Sequence, residues 1–285
     1  MRVMLDNSIF GHSQFAEWAM GSPGPLFGIQ DQHYEVLGAV RKKPHDDTAF
    51  QAQIDSLPTI GRLIREKRLE AFTYGELRCE KMQQFIGEPM FGAMTGCPIQ
   101  SCPPAVERSR FYQGDYFAYA RKGGKRDRKL GLETTIGQIP FMQMLCGLKE
   151  DFLPLWMPFK QALGLTEFEI ESLKNLKCFQ MLCKISDSAE NYPDMFHLWT
   201  AQRNHMDAFV TLDSKMANIA MKIRRSSAIP IEYPTEVLQP LELLSILSIS
   251  EPDPIPIEHG RFYTLHELCS RAPTERFSLF RAYQR

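Results

Sequence analysis

Hydrophobic positions in this chain fall into short blocks separated by polar turns. R-V-M-L at 2–5 is an apolar run cut off by Asp6, and its length predicts a buried strand. The pattern after it predicts a helix over 12–20, stopped by G-S-P-G-P at 21–25. A strand-like stretch follows at 34–40. Residues 48–69 then read as helical with a break at Pro58, because an interior proline removes a hydrogen bond and crowds the preceding turn. E-A-F-T at 70–73 reads as another short strand, running into a helix that begins near Gly75. Further on, Leu165, Phe168, Leu176, Phe179 and Cys183 share one face at helical spacing, which predicts a helix over 166–183. A helix at 193–204, a strand at 207–212, a helix at 214–224 and a strand at 228–233 complete the series.

Short apolar strands alternating with helices predict an α/β protein, a three-layer α/β/α sandwich with a mainly parallel central sheet. The stretch 87–165 breaks the alternation. It is rich in Pro, Gly and aromatic residues and reads as an inserted subdomain, which leaves a discontinuous core over 1–86 and 166–240 and an extension over 241–285.

Composition narrows the class without choosing a function. The 285 residues suffice for a large core, and a net charge of −1 argues against a general nucleic-acid coat protein while leaving room for a local basic patch. No apolar run has the length of a membrane span, and the first residues lack the layout of a signal peptide. Seven cysteines, an odd number, read as reduced thiols of a cytoplasmic protein. The pairs Cys97/Cys102 and Cys178/Cys183 are spaced too widely for the usual zinc ligand patterns and read as packed thiols.

The candidate chemistry lies in acids at the ends of elements. Asp6 ends the first strand, Glu76 enters the helix after E-A-F-T, Asp194 opens the helix after Pro193, and Asp213 ends A-F-V-T-L. Each alone is explained as a helix cap or a partner of a helix dipole. Together they are harder to explain, because strand carboxyl ends and helix amino ends share one crevice in an open parallel sheet. Carboxylates gathered there repel one another, and a hard divalent cation such as Mg²⁺ or Mn²⁺ removes that conflict. Such a site suits hydrolysis of a phosphodiester.

The same segments resemble PIN-domain ribonucleases, the fold of VapC-type toxins. L-D-N-S at 5–8 is similar to that family's opening motif, and F-T-Y-G-E-L at 72–77 to its second acidic position. D-M-F-H-L-W-T-A-Q-R-N-H-M-D-A-F-V-T-L-D-S-K-M at 194–216 resembles its helix, strand and terminal T-x-D. I-P-I-E-Y-P-T-E-V-L at 229–238 is similar to its closing strand. The resemblance implies a metal site of Asp6, Glu76, Asp194 and Asp213, with Thr211 supporting it and Asn7 or Ser8 at its rim. It also implies Mg²⁺ or Mn²⁺, an RNA substrate cut to a 5′-phosphate and a 3′-hydroxyl, a toxin or defence role with an antitoxin-like inhibitor, and a homodimer. Asn7-Ser8 departs from the family's more usual Thr-Asn, and the stretch 87–165 exceeds a minimal domain.

Arg121, Lys122, Lys125, Arg126, Arg128 and Lys129 follow the aromatic-rich F-Y-Q-G-D-Y-F-A-Y and are candidates for contact with single-stranded RNA. Glu80 lies one turn after Glu76 and reaches the same face, while Asp187 and Glu190 lie upstream of Asp194; surface charge is the simpler account of all three. His197 and His205 read as helix-face residues. Two other functions compete: a catalytically silent PIN-like module for RNA binding or assembly, and a haloacid-dehalogenase-type phosphatase. The second lacks the D-x-D that such enzymes show, since Asn7-Ser8 follows Asp6.

Overall fold

A computed structural model describes residues 1–22, 35–83, 92–110, 137–149, 152–161, 163–225 and 234–271. Its strands are β1 (Arg2–Leu5), β2 (Ala16–Gly21), β3 (Val36–Arg41), β4 (Glu70–Thr73), β5 (Ile99–Ser101), β6 (Ala208–Val210), β7 (Glu236–Leu238) and β8 (Phe262–Thr264). Five of them form a parallel sheet in the order β5-β4-β1-β6-β7, with helices on both faces, as the alternation of strands and helices predicts.

Period-two alternation assigns each strand residue to a face. Phe72, Met4, Phe209 and Val237 are consecutive register partners across the sheet and enter one core. Val3, Leu5, Ala71, Ala208, Val210 and Leu238 point the other way, into a second core with Ile60, Leu63 and Ile64 of the helix Leu57–Arg65. The first core is closed by an aromatic group in which Phe179 stacks on Trp199 at 5.1 Å and Phe196 meets Trp199 edge-on at 5.7 Å. Such pairs each contribute about 0.5–1.5 kcal/mol beyond the area they bury.

Several boundaries differ from the sequence expectation. In place of a helix over 12–20 there is a helix Asn7–His12 followed by β2. Asp6 accepts from the Ser8 N–H at 3.4 Å and so starts the helix directly after β1, while β2 gains backbone partners from β3 in an antiparallel pair. The helical region 48–69 breaks at Ser56, between helices Thr48–Asp55 and Leu57–Arg65, with Pro58 in the first turn of the second, where its missing N–H costs nothing. The helix expected over 166–183 is two, Glu167–Lys174 and Leu176–Ser186, meeting at Asn175. Residues 226–233, where a closing strand was expected, are not among those described; the last strand of the parallel sheet is β7.

The stretch 87–165 contributes to the core rather than standing apart. β5 pairs in parallel with β4, and the helix Gln138–Gly147 buries Phe141, Met142 and Leu145, with Phe141 edge-on to Phe196 at 5.9 Å. The segment after 240 is also built in. Helix Pro240–Ile246 buries Leu243 and Leu244 in the second core, and β8 joins β2 and β3 in a three-stranded antiparallel sheet. Among the described residues no helix is long and apolar enough to cross a membrane.

Candidate active site

The order of the parallel sheet reverses between β1 and β6. From β1 the chain proceeds outward through β4 to β5, and from β6 it proceeds outward in the opposite direction to β7. Ligands of open α/β sheets bind outside the strand carboxyl ends at such a reversal. Asp6 follows the last residue of β1, and Thr211-Leu212-Asp213 follows β6.

Asp6 is held from one side only. Its Oδ2 accepts from the Ser8 hydroxyl at 2.5 Å and from the Thr211 hydroxyl at 2.7 Å. Each hydroxyl has a single proton, and both protons are spent on Asp6. The oxygens then act as acceptors: Ser8 Oγ from the Leu212 N–H at 2.9 Å, Thr211 Oγ1 from the Asp213 N–H at 3.0 Å. Thr211 is fully buried, so this pair of hydroxyls joins the end of β1 to the end of β6. Oδ1 of Asp6 has no hydrogen-bond partner among the described residues.

Asp194 lies in the first turn of helix Tyr192–Arg203. Burial pushes its carboxyl up to about 6, with further upward pressure from Asp213, Asp6 and Glu80 against the opposing effect of His197. No hydrogen bond to its side chain occurs among the described residues. Asp213 accepts from the Lys215 N–H at 2.7 Å, at the start of helix Ser214–Arg225.

The fourth carboxylate is Glu80. It accepts from Asn7 Nδ2 at 2.9 Å, Gln138 Nε2 at 2.7 Å and His197 Nε2 at 3.1 Å. Burial alone would raise its pKa, but the charge and hydrogen bond of His197, with bonds from Gln138 and Asn7, bring it down to about 2. His197 is buried, which opposes its charge, yet Glu80 first and then Asp6 and Asp194 leave its pKa raised. In its charged form it donates from Nε2 to Glu80 and from Nδ1 to the Tyr74 hydroxyl oxygen at 2.5 Å.

Glu76 takes a different position from the one expected of it. It forms a bidentate pair with Arg108, at 2.8 and 3.0 Å, with both side chains largely buried. Asp194 thus feels the charges of Asp6, Asp213 and Glu80, whereas Glu76 is held in an ion pair with Arg108. Asp187 pairs with Lys222 at 3.6 Å on the surface, and Glu190 lies in a short turn capped by Ser188, whose Oγ accepts from the Glu190 N–H at 3.3 Å. The basic residues Arg121, Lys122, Lys125, Arg126, Arg128 and Lys129 lie outside the described residues. His197, which reads from the sequence as a helix-face residue, belongs with these acids, and its place three residues after Asp194 in one helix is the signal for it.

Among the described residues no three His, Cys, Asp or Glu side chains are grouped closely enough to hold a metal ion as they stand. The donor chemistry nevertheless fits a hard cation: carboxylate oxygens only, one of them (Asp194) without a hydrogen-bond donor and opposed by three others. Mg²⁺ needs no closed protein cage, since it is usually held by one or two carboxylates, waters and substrate phosphates.

These shifts set the pH dependence of stability in chelator-containing buffer. Glu80, depressed to about 2 from 4.5, contributes stability that is present above about pH 4.5 and is lost as pH falls toward 2. His197, raised from 6.5, contributes stability that is present below that value and lost as pH rises through its folded pKa. Asp194 acts in the opposite sense to Glu80: raised from 3.8 to about 6, it costs stability progressively across that interval as pH rises. Asp194→Asn is therefore expected to melt close to wild type near pH 4 and to be more stable above pH 6, by on the order of 2 kcal/mol. Thermal melts across that range check the sign; an advantage that shrinks with rising pH would contradict it.

No protein-family model matches the chain, and comparison with curated proteins and with solved structures likewise gave no match.

Proposed function

We propose that the chain is a PIN-like, metal-dependent endoribonuclease whose active site is the crevice of Asp6, Glu80, Asp194 and Asp213. The observation that carries this reading is that Asp6 and Asp213 follow the carboxyl ends of β1 and β6, where the sheet order reverses, and that both of them, with Glu80, act on the buried carboxyl of Asp194. Asp6, Asp194 and Asp213 would hold Mg²⁺ or Mn²⁺, with Glu80 completing the negative field. When bound, the cation supplies activation of water and neutralisation of charge on the phosphoryl group.

The chain's own residues do the rest. Ser8 and Thr211 both occupy Asp6 Oδ2, which would leave Oδ1 for a cation. Asn7, Gln138 and His197 fix Glu80, and His197 keeps it ionised. Asp194, whose carboxyl burial pushes up to about 6, would have its charged form favoured beside a bound cation. The substrate in this reading is cytoplasmic RNA, cut to a 5′-phosphate and a 3′-hydroxyl by resemblance to the PIN family. A toxin or defence role, an antitoxin-like inhibitor and a homodimer belong to the same resemblance.

The test is incubation of the purified protein with a mixed RNA pool in Mn²⁺ and, in parallel, in chelator. Cutting that requires the metal supports the nuclease. RNA retention without cutting supports a silent binding module, and turnover of a small phosphomonoester without RNA cutting supports a phosphatase. Thr211→Val keeps the side-chain shape but removes the donor to Asp6 and the acceptor for the Asp213 N–H. By comparison with partners that orient metal ligands elsewhere, it is expected to lower cutting by about 10- to 100-fold. Unchanged activity in this variant would show that Asp6 needs no such orientation.

A further inference from the structure

Tyr74, directly after β4, is fully buried, yet its side chain ends in a hydroxyl that needs a partner there. Its backbone and its hydroxyl reach the same neighbour by two routes. The Tyr74 carbonyl accepts from the Arg78 N–H at 3.1 Å, at the start of the helix Gly75–Gln83 that carries Glu80. Across the core the hydroxyl meets His197 Nδ1 at 2.5 Å, and His197 Nε2 returns to Glu80 Oε1 at 3.1 Å. Tyr74, His197 and Glu80 thus close a ring of contacts that ties the helix Gly75–Gln83 to the helix Tyr192–Arg203.

The imidazole in this ring has little freedom. It stacks on Phe209 at 6.5 Å and 13° and meets the Tyr74 ring edge-on at 5.6 Å. Both of its nitrogens are in use, and a hydroxyl is the partner that suits Nδ1 in either charge state. Toward a charged imidazole the Tyr74 oxygen accepts; toward a neutral one the O–H donates. In both cases a ring proton stays on Nε2, facing Glu80. A carbonyl in that place would serve only a protonated Nδ1, and a backbone N–H only a bare one. Thr200, a second hydroxyl beside Tyr74, can give or take the proton that each arrangement leaves over. Glu80 Oε1 is shared by Gln138 and His197 while Oε2 holds Asn7, so a displaced imidazole removes one of the three bonds that orient the carboxylate.

We infer that Tyr74 is a positioning residue for Glu80 that acts through His197, its hydroxyl keeping the Nε2 proton on the carboxylate whether or not the imidazole is charged. The positioning itself needs no assumption about the reaction. Only its effect on turnover rests on the nuclease reading.

The first measurement is nuclear magnetic resonance in chelator on protein with nitrogen-labelled histidine, so it does not depend on RNA cutting. Wild type is expected to show a slowly exchanging Nε2 proton on His197, identified by its loss in His197→Gln. In Tyr74→Phe, which keeps the buried ring and removes only the hydroxyl, that proton should exchange about tenfold faster. An unchanged signal and exchange rate would overturn the proposal, since Tyr74 would then only fill space. The second measurement is a double-mutant cycle on kcat in Mn²⁺. Tyr74→Phe is expected to lower kcat about tenfold in the wild-type background. It should have no further effect in His197→Gln, whose amide can still donate to Glu80 but has no second nitrogen for Tyr74 to hold. No loss in the wild-type background, or equal losses in both, would contradict action through His197. If wild type cuts no RNA, the nuclease reading fails, and the proton exchange alone decides the role of Tyr74.

Discussion

Asp6→Asn and Asp213→Asn should each reduce metal-dependent RNA cutting by about a hundredfold or more, while leaving the fold intact. A metal contributes several kcal/mol of transition-state charge stabilisation, and every 1.36 kcal/mol is tenfold in rate. Asn keeps the shape of Asp and can still accept from Ser8 and Thr211, so the link between β1 and β6 survives. What is lost is the charge. Glu80→Gln should also impair cutting, for a related reason: it removes the charge that compensates buried His197 as well as one of the four carboxylates. Initial rates on a labelled RNA at saturating Mn²⁺, with circular dichroism as the control for folding, measure all three. Rates within a factor of a few of wild type for both Asp variants would remove this crevice from the reaction.

The second large effect concerns stability. Glu76→Ala or Arg108→Ala is expected to cost about 3–5 kcal/mol, because each leaves an uncompensated charge in a largely buried place. The pair joins the helix Gly75–Gln83 to the turn at 108–110, part of the stretch expected to be a separate subdomain. A double variant, Glu76→Leu with Arg108→Met, should recover a large share of that loss, since apolar replacements of a buried pair are often neutral or stabilising. Urea unfolding of the two singles and the double gives the coupling energy directly. If Glu76 instead served the metal, its substitution would abolish cutting in protein that is fully folded, with little change in the unfolding midpoint.

These two predictions also mark where the sequence was informative. Asp6 and Asp213 were legible because each ends a short apolar run, and a parallel sheet sends such ends to one side. Thr211 was legible two residues before Asp213, from its place in T-x-D. Glu76 and Glu80 are one helical turn apart and indistinguishable by local pattern. The choice between them is made by Arg108, which claims Glu76, and by Asn7, Gln138 and His197, which claim Glu80. All four partners are remote from them in sequence, so no window around the helix contains the answer.

The same reason accounts for the errors in architecture. β5 is only three residues long with exposed Gln100 and Ser101, too brief and polar to read as a strand until β4 supplies its partner. In β2, Glu17 interrupts an otherwise apolar stretch that also fits one side of a helix. Pairing with β3, from Ala16 opposite Arg41 to Gly21 opposite Val36, decides for a strand. Helix Gln138–Gly147 lies next to a long irregular stretch in sequence, yet its Phe141 belongs to the aromatic core around Phe196.

Titration of Mn²⁺ into the metal-free protein, followed by calorimetry, tests the four-carboxylate crevice most directly because it needs no substrate. Wild type is predicted to bind the ion, Asp6→Asn and Asp194→Asn to lose that binding, and Glu76→Gln to retain it. Binding that persists in both Asp variants, or that vanishes only with Glu76→Gln, would contradict the crevice as the metal site.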